Sequence, residues 1–270
     1  MICVNGAFVE SSSILNRATL YGDGFFESMR IHKNEILLEE YHLQRIKQSS
    51  ELLQLNCTET FLQELKSNIH QTITANQLNS HARVRVSIYR SGTGLYASTS
   101  NEINYLISVN ELDNFYNFSA NGLNIHFYEE QVKSAGKYSS IKSLSSQLYV
   151  MASIYAQQHN VDEVVILNHH QNCIEGNTSN LFTISNNTIY TPPVSDGCVD
   201  GVFKNFLITI LQKNNFKLEI QSISQQDLLN ADEIFFCNAV RGIRWVNNLG
   251  NKTYHKSITQ SIFDLMLQQF

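Results

Sequence analysis

The sequence predicts an α+β fold arranged as two domains. Three observations carry that prediction. The chain has 270 residues, about two domains' worth at roughly 100–200 residues each. Strand-like and helix-like segments occur in both halves without the strict alternation of a doubly wound sheet. A polar stretch, Asn110–Asn121, separates the halves. The expected division is 1–113, a linker at 114–121, and 122–270.

The elements follow in order. Val4-Asn5-Gly6-Ala7 reads as a hairpin turn with Asn-Gly at its centre. Residues 25–31 and 35–38 read as a strand pair. From Glu40 to Leu55 the apolar positions Leu43, Ile46, Leu52 and Leu53 recur at roughly helical spacing, and a second helix is expected over Glu59–Ala75. Arg83–Tyr89 and Tyr105–Val109 are rich in β-branched and aromatic residues and read as strands. Beyond the linker, Ile125–Tyr128 is strand-like and Ser145–His159 helical. Short strands are expected at Glu163–Leu167, Leu181–Ser185 and Thr188–Tyr190. Helix Phe203–Lys213, strand Lys217–Ile220, helix Gln225–Leu229, strand Glu233–Cys237 and a terminal helix His255–Phe270 complete the pattern.

Composition narrows the function classes. Hydrophobic residues make up 43% of the chain and there are only 12 glycines and 2 prolines, which excludes a disordered or collagenous chain. The net charge of −5 and the absence of a Lys/Arg run argue against a nucleic-acid platform. Arg83 and Arg85 alternate on one strand and so share a face; they either form structural ion pairs or border a small anionic ligand. No apolar run approaches the 18 or so residues of a membrane span. The first residues lack the basic segment of a signal peptide. The five cysteines are scattered without a C-x-x-C pair, so a cytoplasmic protein is expected.

Common motifs are absent: no H-E-x-x-H, P-loop or G-x-S-x-G occurs. Gly22-Asp23-Gly24 resembles the start of a dinucleotide loop, but Glu27 stands at the third glycine position. His169-His170 has no third ligand at matching spacing, so no metal site is expected.

One constellation does carry chemistry. Glu175-Gly176-Asn177-Thr178-Ser179-Asn180 is followed by Ile189-Tyr190-Thr191, then by Asp200-Gly201-Val202-Phe203-Lys204. This order resembles the signature of the class IV aminotransferases, the fold-type IV pyridoxal-phosphate enzymes. Arg17 to Glu27, His42-Leu43-Gln44-Arg45 and Ile141-Lys142-Ser143-Leu144 resemble three further segments of that family, so the resemblance spans nearly the whole chain. It implies a D-amino-acid aminotransferase-like fold, pyridoxal 5'-phosphate as cofactor and a homodimer. Asn177 departs from the pattern, standing where a small residue is usual.

The resemblance also implies roles. Lys142 is the Schiff-base lysine, and desolvation would favour the neutral amine that this chemistry needs. Glu175 is the partner of the pyridine nitrogen. Arg45 would hold the phosphate together with the N–H groups of the Gly201-Val202-Phe203 turn at a helix start and a second turn at Asn238 and Ala239.

Three branches of the family compete. The branched-chain and D-amino-acid aminotransferases carry a tyrosine where this chain has Phe26, and phenylalanine cannot donate its hydrogen bond. The 4-amino-4-deoxychorismate lyases resemble this sequence at Phe26, at the hydroxyl of Ser28 and at the Asn238-Ala239 turn. In that reading Lys142 and Ser28 are catalytic, while Phe26, Ser28 and Arg90 contact the substrate. Arg90 has an equally good alternative as a loop ion pair. A further arginine common in the lyase's glycine-rich loop is missing. A non-catalytic relative is disfavoured by the retention of Lys142, Glu175 and Arg45 together.

Overall fold

A computed structural model of the chain describes residues 2–5, 7–9, 15–78 and 81–270. Strands β1 (Ile2–Val4) and β2 (Ala7–Val9) pair antiparallel. Asn5 of the expected turn has φ 50°, and Gly6 lies outside the described residues. Helix α1 (Arg17–Tyr21) is capped by Asn16 and ends at Gly22 in the left-handed region, φ 60°. A side chain at Gly22 would meet the Ser145 hydroxyl at 2.4 Å, so glycine is required twice over at this corner.

Next come β3 (Gly24–His32), β4 (Glu35–Ile36), α2 (Glu39–Leu52), α3 (Glu59–Ala75), β5 (His81–Arg90) and β6 (Ile103–Glu111). The four strands form an antiparallel sheet in the order β4-β3-β5-β6. Ala82, Val84, Val86 and Ile88 of β5 are fully buried and share a core with Leu65, Ile69 and Ile73 of α3. Because side chains alternate across a strand, that burial turns Arg83 and Arg85 to the opposite face. The same alternation on β3 buries Phe25, Glu27, Met29 and Ile31, leaving Phe26 and Ser28 on the other side.

The second half contains β7 (Leu123–Lys133), α4 (Gln147–Gln158), β8 (Glu163–Asn168), β9 (Asn172–Gly176), β10 (Asn180–Ser185) and β11 (Thr188–Thr191). It continues with α5 (Val202–Lys213), β12 (Leu218–Ile220), β13 (Ile223–Ser224), α6 (Gln225–Asn230), β14 (Glu233–Asn238), β15 (Gly242–Leu249), β16 (Lys252–Thr253) and α7 (Ser257–Leu267). Strands β10-β14-β15-β7-β8-β9 follow one another, and β9 pairs back onto β10. The sheet therefore closes into a six-stranded barrel, which removes two edges. Leu181, Phe236, Ile125, Val165 and Val246 form one apolar cluster of this barrel. Phe182 and Phe235, one residue along, stack on each other at 4.8 Å in the cluster shared with α5 and α7.

The predicted elements are present with shifted ends. The largest differences are three. Strand β7 extends five residues past Tyr128, and β9 and β15 were not expected. Both missed strands mix apolar residues with Asn, Glu or Arg, so neither shows clean alternation. Pairing on both sides supplies what their local sequence lacks.

Candidate active site

Residues 142–144 lie along the start of β3. The Phe26 N–H donates to the Lys142 carbonyl at 2.9 Å, and the Leu144 N–H to the Gly24 carbonyl at 3.0 Å. This short pairing brings Lys142 from the second half against the first sheet. It forms one wall of a cavity of about 540 Å³. The opposite wall is one end of the barrel: the close of β9, the loop before β10, and the turn after β14. The start of α5 closes the floor.

Ten residues proposed from sequence line this one cavity: Phe26, Ser28, Arg45, Lys142, Glu175, Gly201, Val202, Phe203, Asn238 and Ala239. Arg90 does not. Its guanidinium donates to Asp23 at 3.0 Å, to Asn101 at 2.6 Å and to the Leu53 carbonyl at 2.5 Å. Arg17 binds the same Asp23 at 2.7 Å. Arg90 thus takes the loop ion pair, the second of its two readings, because its donors are already occupied. Arg83 and Arg85 instead border the cavity.

Burial first, and then Arg45, lower the Lys142 pKa to about 8 against the opposing pull of Glu175 and Glu27. Its ammonium nitrogen lies 4.7 Å from the centroid of the Phe26 ring, and the Arg85 guanidinium lies 3.7 Å from the same centroid. Phe26 therefore sits against two cations.

Glu175 is 3% exposed and fully bonded on its far side. One carboxylate oxygen accepts from Lys133 at 2.8 Å and from the Tyr149 hydroxyl at 2.8 Å; the other accepts from the Val199 N–H at 2.9 Å. Burial and the Glu175 charge push the Tyr149 phenol far up, so it stays a donor. The sequence offers Lys133 only as a competitor of Lys142 for the imine and gives no sign of Tyr149, since their bonds to Glu175 span 42 and 26 positions and three elements.

Arg45 is held from behind by Glu27. Its Nε and Nη2 donate to the two Glu27 oxygens at 2.7 and 2.6 Å, and Nη1 to the Asp200 carbonyl at 3.1 Å. His42 contacts the same carboxylate at 2.7 Å. Burial alone would raise the Glu27 pKa, but Arg45 and then His42 outweigh it and hold it at about 2. The α5 helix begins beside Arg45 with no side-chain cap, in buried surroundings. Its free N–H groups call for an anion. Gly201 has an ordinary φ of −76°; it is needed for closeness, because a Cβ there would overlap the Asn180 side chain at 1.7 Å.

The Asn238 side chain accepts from the N–H groups of Val240 and Arg241 at 3.0 and 2.8 Å, which fixes the turn and leaves the Ala239 N–H out of that bonding. Asn177 lines the cavity with its side chain engaged by the protein: it accepts from the Val164 N–H and donates to the Ser153 hydroxyl, both at 3.0 Å. Glu163 gathers Thr178, Ser179 and Arg244 behind the loop. It is a further residue that the sequence did not reveal. Among the described residues no cluster of three metal-ligating side chains occurs.

The Amino-transferase class IV family model matches residues 24–249. The chain belongs to the class IV aminotransferases. Aminodeoxychorismate lyase from Bacillus subtilis is 26% identical over 259 residues, covering 89% of this chain and 83% of the relative. D-alanine aminotransferase from Bacillus licheniformis is 24% identical, covering 93% and 89%. The solved 4-amino-4-deoxychorismate lyase from Pseudomonas aeruginosa shares the fold at a TM-score of 0.83, with 21% identity over 98% of this chain and 97% of that one. The fold is that of the fold-type IV enzymes. The cofactor of this family is pyridoxal 5'-phosphate, and the structure of a hypothetical aminotransferase from Mycobacterium tuberculosis with it bound aligns at a TM-score of 0.79, 18% identity, over 98% and 94% of the two chains. A part-buried lysine with a lowered pKa, a braced carboxylate and an uncapped helix start beside Arg45 fit that group. No helix among the described residues is long and apolar enough to cross a membrane.

Proposed function

We propose that this enzyme is a 4-amino-4-deoxychorismate lyase, forming 4-aminobenzoate and pyruvate for folate synthesis. The observation that carries the choice is the wall at β3. Phe26 offers a ring face and no hydroxyl, while the Ser28 hydroxyl borders the cavity without a hydrogen bond to another described residue. An aminotransferase of this family uses a tyrosine hydroxyl at the first position for the substrate carboxylate.

In this reading Lys142 holds the cofactor, Glu175 keeps its ring nitrogen protonated, and Arg45 with the α5 N–H groups and the Ala239 N–H holds its phosphate. The bound cofactor supplies a sink for the electron pair released at the amine-bearing carbon. Lys142 Nζ takes the proton from that carbon, for which a pKa of about 8 suits it. Ser28 Oγ donates towards the leaving enolpyruvyl oxygen. Lys133 and Tyr149 keep Glu175 fixed and charged as it does its part. The same reading places a homodimer in the cytoplasm. Val150, Met151 and Ile154 of α4 lie exposed beside the cavity, which supports a partner subunit there.

The second reading is an aminotransferase acting on D-amino acids or branched-chain amino acids, supported by relatives of that kind. Supplying aminodeoxychorismate and measuring 4-aminobenzoate and pyruvate tests the first reading. D-alanine or leucine with 2-oxoglutarate tests the second. Rapid amino transfer without 4-aminobenzoate would reverse the choice.

A further inference from the structure

The chain has eight arginines. Five have engaged guanidinium groups: Arg17 and Arg90 bind Asp23, Arg45 binds Glu27, Arg244 binds Glu163, and Arg30 donates to the carbonyls of Asn114 and Val240. The other three, Arg83, Arg85 and Arg241, make no side-chain hydrogen bond or ion pair with a described residue. All three line the same cavity.

Their placement is costly without a ligand. Arg83 Nε is buried and has no partner. Burial and then the neighbouring Arg83 lower the pKa of Arg85. Burial and then Arg244 lower that of Arg241, with a smaller push from Arg83. Arg83 therefore stands between two like charges. Among the described residues the only acidic one lining the cavity is Glu175, whose oxygens already serve Lys133, Tyr149 and Val199. Arg83 and Arg85 are part-buried and Arg241 is exposed; unneutralised guanidinium groups that converge on a cavity are arranged for an anion from outside.

Two acid groups fit better than one. Arg83 and Arg85 are successive same-face positions on β5, about 7 Å apart along the strand. That spacing exceeds the reach of a single carboxylate bound bidentately. Arg85 is fixed on the Phe26 ring beside Lys142, at the reacting end. Arg83 with Arg241, from the turn after β14, lies further along the sheet.

We propose that Arg83 and Arg241 form a second anion subsite beyond the one at Arg85, so that the enzyme selects small substrates bearing two carboxylates. This rests on the reading of the cavity as the cofactor and substrate site, and it holds for lyase and aminotransferase chemistry alike.

The test uses the cofactor-loaded enzyme and unreactive acids: glutarate and isophthalate against butyrate and benzoate, with binding read by calorimetry. The dicarboxylates are expected to bind at least about tenfold tighter than their monocarboxylate counterparts, the worth of one charge-assisted pair. Arg83→Gln and Arg241→Gln should each erase most of that advantage while leaving monocarboxylate affinity unchanged; Arg85→Gln should weaken both classes. Arg241 lies on an exposed turn, so Arg241→Gln carries the test even if Arg83→Gln fails to fold. Equal affinity for the two classes, or a preference that survives Arg241→Gln, would overturn the subsite. Loss of the lyase reading looks different: dicarboxylate preference would persist without 4-aminobenzoate formation.

Discussion

Lys142 owes its chemistry to its surroundings. With burial lowering its pKa from 10.5 to about 8, the neutral amine becomes abundant two units earlier than on a surface lysine. The rate at which cofactor-free protein captures pyridoxal phosphate should therefore rise with pH through a midpoint near 8; a midpoint above 10 would show a solvated lysine. Lys142→Ala should abolish the visible absorbance band of the loaded enzyme. That Lys142 and Glu175 belong to one cavity was legible because each sits in a spaced motif. Lys133, Tyr149 and Glu163 were not, since their importance comes from contacts across the barrel rather than from neighbours in sequence.

Strand β3 and helix α2 meet through Glu27, whose carboxylate satisfies both Arg45 and His42. Glu27→Gln leaves buried donors without a counter-charge and should cost about 3–5 kcal/mol of stability, read by denaturant unfolding. The pH dependence has a definite sign. The folded-state pKa of about 2 lies below the ordinary 4.5. Glu27 therefore contributes its full stabilisation above about pH 4.5, and this is lost as pH falls towards 2. The acid limb of the stability curve should flatten in Glu27→Gln; an unchanged limb would contradict the pairing. At this scale periodicity was a good guide. The β5 alternation placed Arg83 and Arg85 on one face, and the structure turns that face to the cavity. Arg90, five positions after Arg85, falls in the opposite phase of the strand and is held by Asp23 instead.

Across the whole molecule, the polar stretch read as a linker is partly a packed element. Residues 110 and 111 finish β6. Tyr116 is 5% exposed, and its hydroxyl donates to the Ala239 carbonyl at 2.6 Å. Arg30 ties Asn114 to Val240 in the same turn. The connection between the sheets thus grips the turn that borders the cavity. Tyr116→Phe should lower stability by about 1 kcal/mol and weaken cofactor retention; retention equal to wild type would show that the grip does not reach the site. Few glycines and prolines sit in this chain, and those at 22 and 201 mark where it must pass close to itself around the cavity. Barrel closure through β9 and β10 was not readable, because it depends on a pairing that neither strand's composition announces.

The choice of reaction rests on Phe26 and Ser28, which share the β3 wall of the cavity with Lys142. The most direct test is to give the cofactor-loaded enzyme aminodeoxychorismate and follow both products. Equal amounts of 4-aminobenzoate and pyruvate, formed catalytically and abolished by Lys142→Ala, are the expected result. No 4-aminobenzoate, together with rapid amino transfer from D-alanine or leucine to 2-oxoglutarate, would contradict it.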